Sequence, residues 1–259
     1  MKTIQITNTE NTLKKNLSII MPTFQEEKSI EETLIAINNF LIDQKINFEI
    51  IVVDDNSSDN TKLVVNKIIK QYDNIKFYLN NSKKGFGNSI VKGIEYCCGE
   101  FVVIMMADRS DSVEDLFLYY KFLASNPNYD CVFGDRWTKK KTKNYPLIKK
   151  IVNRSGNKLI SKLFGVSYTD FSNSFKMYKK DTLLDIFPII SNHFSITLEL
   201  PLKIITRGYK FKVISNSWEN REHGVSSLRI INSLITYSLV IIYCLIDKYF
   251  WNKRYVSSK

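Results

Sequence analysis

Apolar residues recur along the chain in two alternating rhythms. Short β-branched runs stand at Leu17–Met21, Phe48–Val53, Ile75–Leu79, Phe101–Met106 and Cys131–Phe133, and each has the length of a strand. Between them lie longer stretches with helical spacing, such as Ile30, Leu34, Ile37 and Leu41. Strand and helix in alternation predict an α/β chain with a mostly parallel sheet and helices on both faces. After about residue 140 the alternation lapses. The basic stretch TKKKTKNYPLIKK leads into an amphipathic helix whose apolar side is Ile148, Ile151, Val152, Leu159, Ile160 and Leu163. A last helix-length segment, Ile230 to Ile246, carries no charge.

In open α/β sheets ligands sit just beyond the carboxyl ends of the strands, so the chemistry is sought there. The first run ends in Met21-Pro22-Thr23, where Pro is expected to halt the ladder, and a Glu-rich helix opens soon after. The second ends in DDNSSDNT. Asp54 and Asp55 can accept hydrogen bonds from a base and a ribose; alternatively these acids shape a turn and cap the next helix, which suits Asp59. A further run, FVVIMMADRSDS, ends in Asp108 and Asp111, acids suited to a divalent metal that wants hard oxygen ligands. The stretch NSKKGFGNSI contains neither a dinucleotide fingerprint nor a P-loop. What remains is a basic turn entering a helix: either a neighbour for a diphosphate through Lys84 and the helix N-terminus, or an exposed loop.

Composition narrows the partners. A chain of 259 residues can hold one large domain plus an appendage. Its 37 Lys+Arg against 26 Asp+Glu leave a net charge of +11, which attracts nucleic acid, anionic membranes or phosphorylated substrates. Dispersed cations without a stacking-aromatic motif argue against nucleic acid. The cysteines Cys97, Cys98, Cys131 and Cys244 form no C-x-x-C pair, so neither zinc nor a disulfide framework is indicated and a reducing compartment fits. Residues 1–16 are polar and lack a signal-peptide core, which leads us to expect the cytosolic side.

Six stretches taken in order, SIIMPTFQEEKSIEETL, IIVVDDNSSDNT, NSKKGFGNSI, VVIMMADRSDSVEDL, VFGDRW and LELPLKIITRGYKFKVISNSWENREHGVSS, carry a resemblance that runs from Leu17 to Leu228. Together they resemble a family 2 glycosyltransferase of GT-A fold. More narrowly, they are similar to the dolichyl-phosphate mannosyltransferase group and its bacterial polyprenyl-phosphate relatives. The resemblance implies nucleotide contacts from Pro22, Thr23 and Glu26, base and ribose contacts from Asp54 and Asp55, and a donor-phosphate contact from Lys84. It makes Asp108 the second acid of an Asp-x-Asp metal motif whose first acid is replaced here by Met106, a soft thioether of little use to Mg²⁺ or Mn²⁺. Ser110 and Asp111 can rebuild the metal set with Asp108. Arg136, Arg154 and Arg221, with Ser226 of GVSSL, correspond to residues that gather the acceptor's phosphate, a task for which the arginine fork is suited; Ser227 stands where the family has a lysine. His223 either touches the donor diphosphate or caps a loop, His193 starts a helix, and Asp170 and Glu199 are acids near the acceptor side or purely structural.

The implied reaction is inverting transfer of mannose or glucose from a GDP- or UDP-linked donor to polyprenyl or dolichyl phosphate. Residues 1–16 then form a polar lead, 17–228 the transferase (17–135 for the nucleotide sugar, 136–228 for the acceptor), and 229–259 a membrane-interface helix with a basic tail. That helix holds the protein, peripheral or monotopic, on the cytoplasmic face of a membrane; the same pattern also suits packing on the chain's own core or in a homo-oligomer. Two rivals stand beside this reading: a family 2 transferase with a non-lipid acceptor, and a non-catalytic nucleotide-sugar-binding descendant, for which Met106 is the argument.

Overall fold

The computed structural model describes residues 16–81, 83–138, 142–143, 147–219 and 230–256. In chain order the first half runs β1 (Leu17–Thr23), α1 (Ile30–Asp43), β2 (Phe48–Asp54), α2 (Thr61–Ile68), β3 (Ile75–Leu79), α3 (Phe86–Tyr96), β4 (Phe101–Ile104), α4 (Val113–Ser125) and β5 (Cys131–Asp135). The second half continues with β6 (Thr142–Lys143), α5 (Leu147–Phe164), β7 (Lys176–Lys179), α6 (Lys180–Asp185), α7 (Ile196–Thr206), β8 (Phe211–Ser215), β9 (Trp218–Glu219) and α8 (Ile230–Val256).

One seven-stranded sheet has the order β3-β2-β1-β4-β7-β5-β8, parallel except for β7, which runs antiparallel to both its neighbours. Period-two alternation splits β1 between the two faces. Ile19 and Met21 join a core covered by α1, α2 and α4, whereas Ile20 joins a core covered by α3, α5, α6, α7 and α8. Because β1 pairs with β2 on one side and β4 on the other, the chain changes its winding direction beside β1. A crevice opens at such a point, above the strand ends.

Three sequence expectations change. Pro22 does not halt β1, which runs on to Thr23 and pairs Pro22 with Val53. The Ile20 carbonyl accepts from Met105 N, just past the end of β4, so Pro22, two residues on, turns its missing N–H to that side beyond the last β1–β4 pair, Ile20 with Ile104. An absent donor costs nothing there. The β4 ladder ends at Ile104, leaving Met105 and Met106 in the turn above it. On α5, Ile160 and Phe164 are buried, but Ile151, Val152, Leu159 and Leu163 face outward.

Strands β7 and β8 escaped the sequence reading. Lys176 interrupts the apolar character of β7, yet it lies fully inside. Its Nζ donates to the carbonyls of Phe171 (2.9 Å), Asn173 and Thr197 (3.4 Å). The last is the carbonyl that Pro201, inside α7, cannot satisfy. Burial pulls the Lys176 ammonium down to about 7, against the opposing pull of Asp170.

Candidate functional site

Three loops meet above β2, β1 and β4. Each contains a non-glycine residue in the left-handed region: Gln25 (φ 57°) after β1, Asn56 (φ 60°) after β2 and Arg109 (φ 61°) after β4. Such conformations cost about 1 kcal/mol or more and gather where the surrounding structure over-determines a site. Only Asn56 carries a side chain that favours this conformation, so nothing in the sequence signalled the other two.

The acidic pair after β2 is engaged within the chain. Asp54, buried, accepts from Ser57 N (3.0 Å), Ser57 Oγ (2.5 Å) and Thr23 Oγ1 (3.5 Å). Asp55 accepts from Asn80 Nδ2 (2.9 Å) and, through both oxygens, from Gly85 N (2.9 and 2.8 Å). A carboxylate offers about four acceptor sites, so a ligand role has to share carboxylates that already hold two loops. Asp59 caps α2 through Thr61 N (3.1 Å). Glu26 accepts from Ser29 Oγ (2.8 Å), and its own N–H is held by Thr61 Oγ1 (2.9 Å).

The helix end expected to bind diphosphate is closed. Gly87 N and Asn88 N, in the first turn of α3, donate to the Asn192 carbonyl at 3.0 and 3.2 Å. A carbonyl has taken the place an anion would occupy. Lys83 and Lys84, both exposed, remain as the cations of this loop.

After β4, Asp108, Ser110 and Asp111 are nearly buried. Asp108 Oδ1 accepts from Ser110 N (3.1 Å), and Asp111 Oδ2 accepts from Met106 N (3.1 Å), so Met106 serves the site through its backbone. Burial, reinforced by Asp108 and Asp115 and opposed by the Met106 N–H and Arg136, pushes the Asp111 carboxyl up to about 7. Among the described residues no group of three or more His, Cys, Asp or Glu is arranged to hold a metal. Two carboxylates and a hydroxyl still suit a small hard cation, because Mg²⁺ takes one or two carboxylates and completes its shell with substrate phosphates and waters. The donor set therefore fits an ion that arrives with a diphosphate.

The acceptor side begins at β5. Arg136 presents its fork to the fully buried Asp170, Nε to Oδ2 at 2.9 Å and Nη2 to Oδ1 at 2.7 Å. Its guanidinium also lies 5.5 Å from the Trp137 ring. Two further cations approach the same indole from α5, Lys150 at 5.7 Å and Arg154 at 5.9 Å. The structure thus places Arg136 and Arg154 about one ring. It adds Trp137 and Lys150, the latter one of six lysines in the thirteen residues from Thr138 to Lys150, where none stands out. Arg221, His223 and Ser226 lie outside the described residues. Trp218 bridges to Asp111, and Glu219 N donates to the Ser110 carbonyl (3.4 Å), so the chain passes the acids just before that segment.

Beyond this cluster the surface turns apolar. On α5, Leu147, Ile151, Val152, Leu159 and Leu163 are 47 to 75% exposed, on a helix whose only charges are Lys149, Lys150, Arg154, Lys158 and Lys162. On α8, Ile235, Leu239, Ile242 and Ile246 form one outward stripe with Phe250, while Val240 and Cys244 are buried toward α7. Polar groups of α8 also face inward: Asp247 meets Arg207 Nε at 3.5 Å, and the Tyr243 ring covers Lys203 at 5.0 Å. Among the described residues no helix is long and apolar enough to cross a membrane.

Known proteins share this arrangement of elements. Crystal structures of glucosyl-3-phosphoglycerate synthase from Mycobacterium tuberculosis superpose on 90% of the chain. The one in complex with Mn²⁺, uridine diphosphate and phosphoglyceric acid gives a TM-score of 0.65 at 15% identity over 78% of its own chain; the one with Mg²⁺ and uridine diphosphate gives 0.66 at 15% over 79%. These show the fold. By sequence the chain is 29% identical to dolichol-phosphate mannosyltransferase of Pyrococcus furiosus, over 53% of this chain and 38% of that one. It is 32% identical to a dolichyl-phosphate beta-glucosyltransferase of Trichomonas vaginalis, over 66% and 55%. A 39% match to GalNAc(5)-diNAcBac-PP-undecaprenol beta-1,3-glucosyltransferase of Campylobacter jejuni covers 46% and 37%. The matched segments therefore span between about a third and a little over half of these relatives. The model of the family described as Glycosyl transferase family 2 matches residues 18–187, the greater part of the chain, and with the seven-stranded sheet and its acid-bearing strand ends already in place, the chain belongs to glycosyl transferase family 2.

Proposed function

We propose that the protein transfers a hexosyl group, mannose or glucose, from a GDP- or UDP-linked sugar to the phosphate of a polyprenyl lipid at a membrane surface. The observation that carries this reading is the cluster of Arg136, Lys150 and Arg154 about Trp137, because the helix that supplies two of these cations turns apolar side chains outward. A phosphate held there has a hydrocarbon-compatible surface beside it. A soluble glycan acceptor gives such a surface no purpose. The lipid relatives named above support the same substrate class.

The chemistry asks little of a base. A phosphate monoester is ionised near neutral pH, so its oxygen can attack the anomeric carbon directly, inverting that centre as the nucleoside diphosphate departs. Charge develops on the leaving diphosphate, and preorganised cations are most effective there. Lys84 supplies one from the loop before α3. Asp108, with Ser110 and Asp111, would hold the Mg²⁺ or Mn²⁺ that supplies the other by neutralising the diphosphate. Arg154 and Lys150 orient the acceptor, while Arg136, pinned by Asp170, is rigid and bears its charge at any working pH. Arg221, His223 and Ser226 complete this reading from the segment after β9.

In this reading α5 and α8 rest on the cytoplasmic leaflet, peripheral or monotopic. An apolar stripe beside lysines and arginines is the surface that anionic headgroups bind. The test is incubation with a panel of labelled nucleotide sugars and a polyprenyl phosphate, with and without EDTA. Label in the organic phase for one donor, lost on chelation and restored by Mg²⁺ or Mn²⁺, supports the proposal; no organic-phase label with any donor refutes it.

A further inference from the structure

The segment 186–195, between α6 and α7, is gripped by polar groups that the transfer chemistry does not use. In α7, Glu199 Oε1 and Lys203 Nζ are 3.0 Å apart with both side chains fully buried. A buried ion pair alone rarely outweighs its desolvation, so its other partners matter. The Glu199 carboxylate accepts from Ile190 N (2.9 Å) and Ser191 N (2.8 Å), whereas Lys203 Nζ donates to the carbonyls of Ile186 (3.3 Å) and Pro188. The anion takes the amides of this stretch and the cation takes its carbonyls. Two apolar residues could fill the same volume without doing either.

The held stretch is then laid against α3. The Asn192 carbonyl receives Gly87 N and Asn88 N, and Phe194 stacks on Phe86 with centroids 4.4 Å apart. The backbones approach so closely that a Cβ on Gly85 would stand 2.2 Å from the Asn192 oxygen, and one on Gly87 2.3 Å from the Ser191 oxygen. Gly85 has φ +138°, a conformation that itself favours glycine. Asp55, from the loop after β2, holds Gly85 N as well. Lys84, immediately before Gly85, is therefore fixed by two segments.

We propose that Glu199, paired with Lys203, is a positioning residue for the nucleotide sugar. It fixes the stretch 186–192, which fixes the turn Gly85–Asn88, which sets where Lys84 meets the donor diphosphate. The inference rests on the reading of Lys84 as a donor-phosphate residue. Because Tyr243 of α8 covers Lys203, the same pair also joins the seat of α8 to the donor loop.

The experiment measures KM for UDP-glucose and GDP-mannose with Mg²⁺, and separately KM for polyprenyl phosphate, in Glu199→Gln, Gly87→Ala and Lys84→Ala. Assays run well below each variant's Tm, so that a stability loss alone leaves KM unmoved. Glu199→Gln is expected to raise the donor KM by roughly tenfold or more, as small displacements of binding groups do, with the acceptor KM unchanged. A folded Glu199→Gln with the parent's donor KM overturns the proposal. Should that variant not fold, Gly87→Ala disturbs the same contact from the α3 side, and an unchanged donor KM there overturns it equally. Lys84→Ala separates the two layers: no change in donor KM removes the donor-loop reading and the proposal with it, whereas a rise in Lys84→Ala alone removes the positioning role and leaves the loop reading standing.

Discussion

At the ends of β1, β2 and β4 the polar side chains turn inward on the chain, whereas along α5 and α8 the apolar side chains turn outward. Asp54, Asp55, Asp59 and Glu26 each hold a neighbouring loop. Ile235, Leu239, Ile242 and Ile246 are more than half exposed, while Asp247 and Tyr243 of the same helix face Arg207 and Lys203. Periodicity states which residues share a face. It does not state which face looks inward. Leaving a Leu or Ile in water forfeits about 1.5–3 kcal/mol relative to burial, so a whole stripe of them argues for a second apolar medium. The strand-end loops thus form a closed polar lattice, while α5 and α8 present the apolar surface on which the proposed lipid acceptor rests.

Four tests press on this contrast. The largest effect is expected from Asp108→Asn, which should lower turnover by roughly a hundredfold or more while leaving Tm in place, since it removes charge where the leaving group is neutralised. Steady-state rates beside a melting curve decide it, and full turnover would end the metal assignment. Next, Lys150→Ala or Arg154→Ala should raise the acceptor KM by about tenfold, the scale of one charged hydrogen bond, with the donor KM unmoved. Equal changes on both substrates would dissolve the division between the halves.

The third test compares the two sides of α8. Leu239→Asp should weaken sedimentation with anionic vesicles by roughly tenfold without lowering Tm, because a side chain 60% exposed contributes little to folding but its burial in lipid is worth about 1.5–3 kcal/mol. Val240→Asp, one residue along and buried, should instead destabilise the fold. If both behave as Val240 does, α8 is an ordinary packing helix. The last test concerns Lys176, whose effect falls on stability and not on either substrate. Its folded value near 7 lies below the ordinary 10.5, so the unfolded chain binds the extra proton between those values. Stability from this group should rise as pH climbs from about 7 toward 10 and fall on the way back. Lys176→Met should flatten that slope in pH-dependent denaturation curves.

The parallel half of the sheet was legible because β1, β2 and β4 are mainly apolar, with helical stretches between them, and the polar Ser18 and Glu49 in β1 and β2 leave runs of three or more apolar residues intact. The antiparallel insertion β7 was not, since Lys176 and Lys179 leave it only two apolar residues, and Lys176 is satisfied by the carbonyls of the preceding turn and of Thr197 in α7, which periodicity does not show. Pro22 misled for a related reason: whether a missing N–H matters depends on where the neighbouring strand ends. At the site, motif order brought Arg136, Arg154, Asp108 and Asp111 into view. Lys150 was hidden among other lysines, and the closure of the α3 N-terminus by Asn192 depends on a contact across more than a hundred residues of chain. The outward faces of α5 and α8 have the spacing of packing helices, so only the fold could show which way they point.

The central claim is that the acceptor is a lipid bearing a phosphate, and the most direct measurement offers the protein a polyprenyl phosphate and the corresponding polyprenol in the same vesicles. With Mg²⁺ and the preferred labelled nucleotide sugar, label should appear on the phosphate lipid, stay absent from the alcohol, and diminish in Arg154→Ala. Equal labelling of the two lipids, or labelling of a water-soluble acceptor with neither lipid used, would contradict the account.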